Sequence, residues 1–599
     1  MQKKFLITTA MEETWKYDQP SLFLGNWCKI YSEKNIWNKL NHQTLSYHWD
    51  DAKKLQKDYI YLKNLSEKII KNLVQVLNEI HDEKYSERYW KIYLGHWLNC
   101  FIQILFDRWE IVQKAFSENA LSNTIVLKIN VSEMVPLGIE NFIDIIHQDK
   151  WNHFIFSKII ETIPFKNAIN IEYIDDLKNN NYVRVKLHRK NLNRRIIVFL
   201  SNIFNPLIKL IRRNEKYLIC ESYLGKFSEI KLNLSLGLFP LSLSPDQTFL
   251  CEPNKELRNK IKLNFEAENN FEKFLRKIMP TLIPMSYLEN YKKISTATSK
   301  LNWPKKPETI FTSHFINNKT IPAKYTAEKK ENGTKLIHGQ HGGAYGQCLF
   351  HWYEEFERDI SDFYLTWGWE DNKDKKLIPF GILKPINIYE KIKKIKKKTK
   401  LLFVIRPKER YSATALDSRV RGHQLLEYHQ NCLKIARKLN FKIRSENLVI
   451  RLHERKYGWC EEKLWSDEFP EITIDKGYKP IIEILKKTKL VVYTYNATGY
   501  LELLAANIPV IIFCPTNKNP LREEAIPYFE ELKKSKIFHE TTESVSEHLN
   551  EIWNEIDEWW NKKDVQHVRK KFCQKYAKYD SKKIENLKNI ILNTSKTYN

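Results

Sequence analysis

Short apolar runs alternate with amphipathic segments through the second half of the chain. Residues 401–405 form a continuous apolar run of strand length, as expected for a parallel strand covered on both faces. Between residues 422 and 440 the apolar positions recur every three or four residues, which predicts an amphipathic helix. The core-facing stripe of this helix is Leu425, Tyr428, Cys432, Ile435 and Leu439.

The same alternation continues towards the C-terminus. Residues 448–450 and 490–495 are predicted strands, and Pro480 begins a helix at a position where its missing N–H costs nothing. A helix over 500–506 leads to an apolar strand over 508–513. Because strands and helices alternate, we expect an α/β fold with a parallel sheet.

One late helix carries its own start signal. Ser544 and Glu547 have the spacing of a capping box, in which the two side chains satisfy the first backbone N–H groups of a helix. We therefore expect a helix to open at Ser544.

The first half of the chain has a short predicted strand at 5–8, followed by long helical patterns rich in aromatic residues, such as 89–109. One face of this helix is apolar and is expected to pack on the sheet, although its tryptophans could also line an acceptor groove; it carries Trp90, Tyr93, Leu94 and Trp97. Trp27 and His96 are acceptor-site candidates on the same reasoning. Residues 361–369 form a β-rich segment, and 378–381 close this block.

Residues 335–346 place four glycines and two histidines directly after a short apolar run, in a chain with only 16 glycines. This pattern is typical of a strand that ends in an active-site loop. Gly342 and Gly343 let the backbone approach a ligand closely, and an imidazole such as His341 can exchange a proton near neutral pH. The alternative is a glycine turn whose histidines are hydrogen-bonded to the backbone.

Two predicted strands of the second half end in cationic loops. Arg406 and Lys408 follow the strand 401–405, and Arg451 and His453 follow the strand 448–450. Cations at the carboxyl ends of strands can bind phosphate groups. Alternatively, the two loops are charged turns exposed to solvent.

A small polar loop joins the strand 490–495 to the next helix. Asn496 and Thr498 are candidate caps, and with Gly499 they present free N–H groups and the positive end of the helix dipole to an anion. Glu502 lies one turn further on, where its carboxylate could accept hydrogen bonds from ribose hydroxyls; its alternative is an exposed helix glutamate.

Composition indicates a large protein with anionic partners. A chain of 599 residues is too long for a single core, and the formal net charge of +26 favours nucleotide-activated substrates, acidic lipid or nucleic acid. The densest basic cluster, 391–400, could contact an anionic membrane or could be a solvated linker.

Other sequence signals narrow the class of protein. No apolar stretch of about 20 residues is free of charge, and the N-terminus lacks a secretion signal, so we expect a cytoplasmic protein. Nine scattered cysteines without Cys-x-x-Cys spacing favour reduced thiols over a zinc cluster. No Asp-x-Asp follows a predicted strand, which leads to the hypothesis of a donor site without a metal and without a cofactor.

The order of these motifs resembles the two-domain GT-B glycosyltransferases. The chain is similar to the Kdo-type capsule and lipopolysaccharide transferases, to the CDP-glycerol glycerophosphotransferases, and over most of its length to a family of bacterial transferases from surface-polysaccharide gene clusters. Beyond the motifs above, this last resemblance includes the N-terminal residues 5–9 and 23–28. It implies two Rossmann-type domains that face a cleft, with the N-terminal domain enlarged by helical insertions.

The resemblance assigns roles residue by residue. His341-Gly342 matches the His-Gly pair that lies in the catalytic cleft of the better understood groups. Arg451-Leu452-His453 matches an element that holds the donor phosphates, but Glu454 stands where that element has proline. Ala497-Thr498 matches a Ser-Ser pair, so that one of the two hydroxyls is absent here.

We therefore predict an acceptor-side domain over 1–390, a basic connector over 391–400, a donor-binding domain over 401–560 and a helical tail over 561–599. The predicted reaction is metal-independent transfer of a sugar, preferably a CMP-linked acidic sugar, to a surface glycan or lipid-linked acceptor. His341 would be the general base and His338 its rival, Glu502 would hold the ribose, and the leaving phosphate would be neutralised by Arg406, Lys408, Arg451, His453 and the amides after Asn496.

Two alternatives stay open at this point. The same cleft could transfer a polyol phosphate from a CDP-alcohol, so that phosphorus is attacked instead of an anomeric carbon. A basic nucleic-acid-binding protein or an envelope scaffold would also fit the charge, but no nucleic-acid-binding motif is present, and nucleic acid is not the partner we expect.

Overall fold

A computed structural model describes residues 2–162, 165–176, 215–238, 249–386, 389–395, 397–412, 421–517 and 519–596. The strands in these ranges are β1 (Phe5–Ile7), β2 (Ser21–Phe23), β3 (His42–Thr44), β4 (Asn123–Lys128), β5 (Asn170–Asp175), β6 (Tyr217–Cys220), β7 (Thr309–Thr312), β8 (Lys335–Gly339), β9 (Phe363–Thr366), β10 (Leu377–Pro379), β11 (Lys400–Val404), β12 (Leu448–Arg451), β13 (Thr473–Asp475), β14 (Thr488–Tyr493), β15 (Val510–Phe513) and β16 (Phe538–His539).

The α-helices before β11 are Lys34–Trp37, Ala52–His81, Glu87–Glu118, Val131–Met134, Ile139–Ile145, Asp149–Ile160, Lys226–Ser235, Lys255–Asn259, Asn270–Leu282, Tyr291–Ser299, Thr320–Glu331, Trp352–Ile360 and Glu390–Lys393. Those after β11 are Leu425–Lys438, Glu461–Glu468, Ile481–Leu485, Thr498–Ala505, Ile526–Lys534, Thr542–Ile552, Ile556–Asn561, Lys563–Tyr576 and Lys583–Lys596.

Two large parallel sheets confirm the predicted α/β fold class. The first has the strand order β10-β9-β8-β7-β6, and the second has the order β13-β12-β11-β14-β15-β16. Every strand pair in both sheets is parallel. The strands and helices predicted from the periodicity of the second half are all present, with boundaries that move by a few residues.

The order of the second sheet reverses between β11 and β14, which are neighbours in the sheet although two strands separate them along the chain. In open α/β sheets, ligands bind beyond the carboxyl ends of the strands at such a reversal. The loops that begin at Ile405 and Thr494 therefore flank the expected ligand position.

The N-terminal region adds a smaller sheet. Strands β1, β2 and β3 are parallel, β4 pairs with β5, and a bridge from Lys4 to Leu121 joins the two groups. The long helices Ala52–His81 and Glu87–Glu118 pack on each other in the adjoining core. In the second of them the four predicted core side chains, Trp90, Tyr93, Leu94 and Trp97, are buried, which confirms the core interpretation.

Two predicted helix caps are wrong. The late helix begins at Thr542, and its cap is Thr541, whose hydroxyl accepts a hydrogen bond from Ser544 N at 3.2 Å, so Ser544 lies inside the helix. The helix Thr498–Ala505 has Ala497 at its cap position and no side-chain cap. Asn496 and Thr498 make tertiary contacts instead, which local sequence does not reveal.

The C-terminal helices pack against both large sheets. In the helix Lys563–Tyr576, Arg569 donates to the carbonyl of Leu504 at 2.7 Å, on the side of the second sheet. In the last helix, Leu587 and Ile591 pack with Ile337 of the first sheet. The predicted domain bounds at 390, 400 and 560 stay a prediction.

All nine cysteines are free thiols. Within the described ranges, no helix has the length and apolar character needed to cross a membrane.

Candidate active site

The loop that follows β8 is held rigidly in place by Gln340. Its side-chain oxygen accepts hydrogen bonds from Trp367 N at 2.9 Å and Trp369 Nε1 at 2.8 Å, while its amide nitrogen donates to Gly342 O at 2.9 Å. Gly339 ends the strand at a crowded point, where a Cβ would lie 2.5 Å from Leu383. The backbone around His341 is therefore fixed from both sides.

His341 is the partly exposed histidine of this loop, with 17% of its side chain accessible. Its Nδ1 lies 3.5 Å from Glu357 Oε1, and its Nε2 lies 3.3 Å from the Tyr345 hydroxyl. Burial, reinforced by the nearby His314 and His338, holds the pKa of His341 well below its ordinary value. The imidazole is therefore neutral at pH 7 and can accept a proton.

Glu357 is a buried carboxylate beneath His341 that the sequence analysis missed. Asn317 Nδ2 donates to its Oε1 at 2.7 Å, and the Tyr364 hydroxyl donates to its Oε2 at 3.1 Å. The Tyr345 hydroxyl lies 3.4 Å from Oε1, so it can hydrogen-bond to either Glu357 or His341. Burial raises the pKa of Glu357 well above its ordinary value, and the three donors oppose that effect.

A signal for Glu357 was present in the sequence. It lies in the helix Trp352–Ile360, whose buried positions include Trp352, Phe356 and Ile360 at a spacing of four. A glutamate beside such an apolar stripe has no water for its charge and needs polar partners. The pattern of the helix that follows the His-Gly-Gly loop would therefore have predicted a buried glutamate with polar partners.

His338 is fully buried behind His341. Its Nε2 lies 3.0 Å from the carbonyl of Ser313 and therefore carries the proton, and burial lowers its pKa to about 3. An acceptor hydroxyl cannot reach this ring directly. In this geometry His338 supports the loop.

His338, His341 and Glu357 are also the one group of side chains in the described part of the chain that could bind a common metal ion, with ligand atoms within 4.8 Å of one another. The same side chains could thus serve either as a His–Glu pair or as metal ligands.

The loop after β8 packs on the second sheet through Gly343. Its N–H donates to Thr498 Oγ1 at 2.8 Å, and a Cβ at this position would lie 2.6 Å from the carbonyl carbon of Ala497. Gly499 is also required to be small, because a Cβ there would meet the Tyr493 hydroxyl at 1.8 Å. The two glycine loops, distant in sequence, therefore meet at the N-terminus of the helix Thr498–Ala505.

Asn496 is turned away from this helix start. Its Nδ2 lies 3.2 Å from Gln347 Oε1, and its Oδ1 accepts from the Tyr500 hydroxyl at 3.1 Å. Its side chain is buried and connects the β14 loop to the β8 loop.

A second link joins the two sheets through Arg522. Its Nε donates to Cys348 O at 2.9 Å, and its guanidinium pairs with the buried Glu354 at 2.9 Å. Burial alone would raise the pKa of Glu354, but Arg522, His351, Gly346 N–H and Arg358 together lower it. The carboxylate is therefore charged and holds the loops together.

Glu502 accepts hydrogen bonds from two residues of the segment that joins the sheets. Lys384 Nζ lies 2.8 Å from its Oε1 and the Tyr389 hydroxyl lies 2.7 Å from its Oε2. Lys384 Nζ also lies over the ring of Tyr223, 4.8 Å from the ring centre. The centres of the Tyr223 and His341 rings are 6.1 Å apart. Lys384 is thus a cation between His341 and Glu502 that the motif search did not find.

The four predicted phosphate-binding residues lie at or just beyond the carboxyl ends of β11 and β12. Arg406 and Lys408 are buried, and the guanidinium of Arg406 lies 5.7 Å from the centre of the Tyr495 ring. Arg451 pairs with Asp475 and donates to Lys479 O at 2.7 Å, whereas His453 is exposed.

Two open cavities flank His453. The larger, about 490 Å³, is called here the β12 cavity, and it is lined by Ile405, Arg406, Pro407, Leu452, His453, Arg455, Lys456, Gly458, Cys460, Glu461, Glu462, Lys463, Ser466 and Lys476. The smaller, about 350 Å³, is called here the switch cavity because it lies at the β11–β14 reversal; its lining includes Ile405, Pro407, Arg451, His453, Tyr478 and Tyr495. Cations exceed carboxylates in the β12 cavity, which suits a polyanion.

The two acceptor-site candidates of the N-terminal region are core residues. Trp27 is buried and its Nε1 donates to Thr8 O at 2.9 Å. His96 is buried against Trp352 and Tyr353, and burial lowers its pKa to about 3. Neither side chain reaches a surface that an acceptor could occupy.

Comparison with known proteins identifies a family. The sequence model described as LIC12162 family transferase matches residues 4–591. No match was found among proteins of curated function.

Solved structures with a similar course of the chain have low identity. A variant of the wall teichoic acid polymerase TagF with CDPG is 11% identical over 69% of this chain and 98% of its own, with a TM-score of 0.31. The UDP-GlcNAc 2-epimerase of Neisseria meningitidis bound to UDP-GlcNAc is 14% identical over 63% and 96%, with a TM-score of 0.31. MurG of Acinetobacter baumannii is 10% identical over 50% and 78%, with a TM-score of 0.30. At TM-scores this low, the similarity supports no conclusion beyond the two parallel sheets described above.

Proposed function

The chain belongs to the LIC12162 family of transferases, and from that premise we propose that it transfers a glycosyl group from a nucleotide-activated donor to an acceptor hydroxyl. The observation that carries the proposal is the His341–Glu357 pair, which lies at the carboxyl end of β8 and next to the N-terminus of the helix Thr498–Ala505. In this proposal the base and a helix N-terminus that can bind an anion lie next to each other between the two large sheets.

In this proposal His341 removes the proton of the acceptor hydroxyl. Glu357 faces Nδ1, so Nε2 is the nitrogen that takes the proton once the Tyr345 hydroxyl turns towards Glu357. The imidazolium then forms beside Glu357, and a positioned base of this kind contributes roughly 10²- to 10⁴-fold to the rate. A single displacement would invert the anomeric centre.

The donor phosphates would lie at the β11–β14 reversal. Arg406 and Lys408 would supply positive charge there, and Lys384 adds a cation from the connecting segment. Burial lowers the pKa of His453, so this residue would donate a hydrogen bond from Nε2, because its Nδ1 accepts one from Arg455 N at 3.0 Å. Arg451 is held by Asp475, so its first role in this proposal is to fix the loop that presents His453. Glu502 can hold the ribose if Lys384 and Tyr389 exchange their hydrogen bonds for the ligand.

The preferred donor is a CMP-linked acidic sugar, because the β12 cavity offers cations for a sugar carboxylate as well as for phosphate. The proposed acceptor is a surface glycan or a lipid-linked intermediate, at the inner face of the cytoplasmic membrane.

Nucleotide binding is the first test. CMP, CDP, UMP, UDP and GDP are titrated by calorimetry into the full chain with EDTA present. Saturable binding of one nucleotide, weakened at least about tenfold by His453→Ala combined with Arg455→Ala, supports the donor site. Lys533→Ala, which removes an exposed cation that pairs with Glu540 elsewhere, is the matched control. Absence of binding with EDTA and again with magnesium or manganese would remove the donor site from the proposal.

Product analysis tests the reaction class. The chain is incubated with the nucleotide sugar whose nucleotide binds, and release of the free nucleotide is compared for wild type, His341→Ala and the exposed control His567→Ala. Loss of turnover in His341→Ala alone supports glycosyl transfer with this base. Turnover with a CDP-alcohol but with no sugar donor would replace it by polyol-phosphate transfer.

A further inference from the structure

The helix Lys226–Ser235 exposes apolar side chains on its outer face. Phe227 is 91% exposed, and Ile230 and Leu234 are exposed as well. At 3.6 residues per turn these three positions fall within about 60° of arc, so they form one stripe. The opposite face is also apolar, because Leu232 is buried against the first sheet and the last helix. The inner face anchors the helix, and the three side chains of the outer stripe are exposed.

Lysines border this stripe on both sides. Lys226 and Lys231 are exposed and lie on either flank of the stripe on the helical wheel. The helix has one acidic residue, Glu229, and its carboxylate accepts a hydrogen bond from Ser222 N at 3.0 Å. The outer surface is therefore apolar in the centre and cationic at the edges, a combination that fits lipid tails and anionic headgroups.

The stripe lies next to the proposed catalytic cleft. Tyr223, four residues before Phe227, contacts the His341 ring at 6.1 Å and lies under the Lys384 ammonium. Gly225, at the cap of the helix, approaches Pro385 of the connecting segment, where a Cβ would lie 3.1 Å from the ring of the proline. A membrane in contact with this helix would bring a lipid-linked acceptor to the side of the cleft where His341 lies.

We propose that the helix Lys226–Ser235 docks on an anionic lipid surface, with Phe227, Ile230 and Leu234 inserted between headgroups. The occupant of the patch is a bilayer because the flanking lysines complement anionic headgroups. A second copy of this chain would bring the same lysines together and would be repelled. The inference that docking delivers the acceptor rests on the proposed function, whereas the inference of docking does not.

Flotation of the full chain with vesicles tests this surface. Vesicles of phosphatidylcholine with phosphatidylglycerol are compared with vesicles of phosphatidylcholine alone. We expect binding to the anionic vesicles that weakens with added salt. The triple variant Phe227→Ser, Ile230→Ser, Leu234→Ser should lower the partition coefficient at least about tenfold.

Two further variants make the result specific. Lys226→Gln with Lys231→Gln should reduce the preference for anionic vesicles. Phe441→Ser, which removes an aromatic side chain that is 68% exposed in the other half of the chain, should leave the partition unchanged. Circular dichroism and nucleotide calorimetry on each variant separate a docking defect from a folding defect or a lost donor site.

Each outcome decides the proposal. Vesicle binding that the triple variant loses and Phe441→Ser keeps supports docking, even if no nucleotide binds and the proposed function fails. Absence of wild-type binding, or equal loss in Phe441→Ser, overturns it. A concentration-dependent dimer in light scattering that the triple variant abolishes, with vesicle binding unchanged, would assign the stripe to a second copy and also overturn it.

Discussion

Replacement of Glu357 by glutamine tests the role of His341 as the base, because Glu357 is the buried residue that faces its Nδ1. Glutamine keeps the volume and can still accept the hydrogen bond from Asn317, so the buried site stays filled and polar. The change removes the ability to carry negative charge beside His341. If Glu357 stabilises the imidazolium, the variant should slow the chemical step and leave nucleotide binding intact.

The magnitude follows from the distance between the two groups. Unit charges 3.5 Å apart, the separation of Glu357 Oε1 and His341 Nδ1, interact by about 5 kcal/mol at an effective dielectric constant of about 20. If about half of the imidazolium charge is present in the transition state, the barrier rises by about 2 kcal/mol, which lowers kcat by about 30-fold.

The assay is steady-state release of nucleotide, with the dissociation constant measured separately by calorimetry. Glu355→Gln is the matched control, because this neighbour on the same helix faces Tyr59 and Lys63 and should keep kcat. In a His341→Ala background, Glu357→Gln should have little further effect, because the two residues act as a unit.

Two results would refute this reasoning. An unchanged kcat would mean that Glu357 stays protonated throughout the reaction, as its raised pKa permits, and contributes no charge. An equal additional loss in the His341→Ala background would mean that Glu357 acts on the fold and not through His341.

Three other predictions address the loop, the stability of the fold and the connecting segment. Gly343→Ala should lower stability by about 1–3 kcal/mol in urea unfolding, because its Cβ would lie 2.6 Å from backbone atoms at Ala497; an unchanged midpoint would show that the loops separate freely. The free energy of unfolding should fall between pH 7 and pH 5, because burial lowers the pKa of His96 to about 3 and of His153 to about 4, so the unfolded chain binds protons that the folded chain excludes. Each of these histidines lowers the free energy of unfolding by about 2 kcal/mol over this range. Equal free energies from urea unfolding at the two pH values would contradict this prediction. Lys384→Met should weaken nucleotide binding about tenfold if the lysine meets the donor phosphates, whereas tighter binding would mean that Lys384 competes with the ligand for Glu502.

Much of the fold follows from local pattern. The apolar runs at 401–405, 448–450 and 508–513 are long enough to read as strands, and the structure confirms all three as members of one parallel sheet. Their loops were predictable as neighbours because the carboxyl ends of parallel strands share an edge, and that they face a ligand stays a prediction. The caps at Ser544 and at 496–498 were mispredicted, because a cap depends on which backbone groups tertiary contacts already satisfy.

The candidate site likewise contains residues that the sequence predicted and residues that it did not. His341, Gly342 and Gly343 were visible as candidates because residues 335–346 gather four of the 16 glycines around two histidines, and periodicity shows where a strand ends. Glu357 lay beside an apolar stripe that the motif search did not use, and its place under His341 is decided by packing. Lys384 was not visible, because a lysine in a connector is usually solvated and only the fold brings it to Glu502. By itself the sequence determined the strands and the residues at their ends. The tertiary structure alone decided which charges are buried beside His341, because burial depends on neighbours contributed by distant parts of the chain.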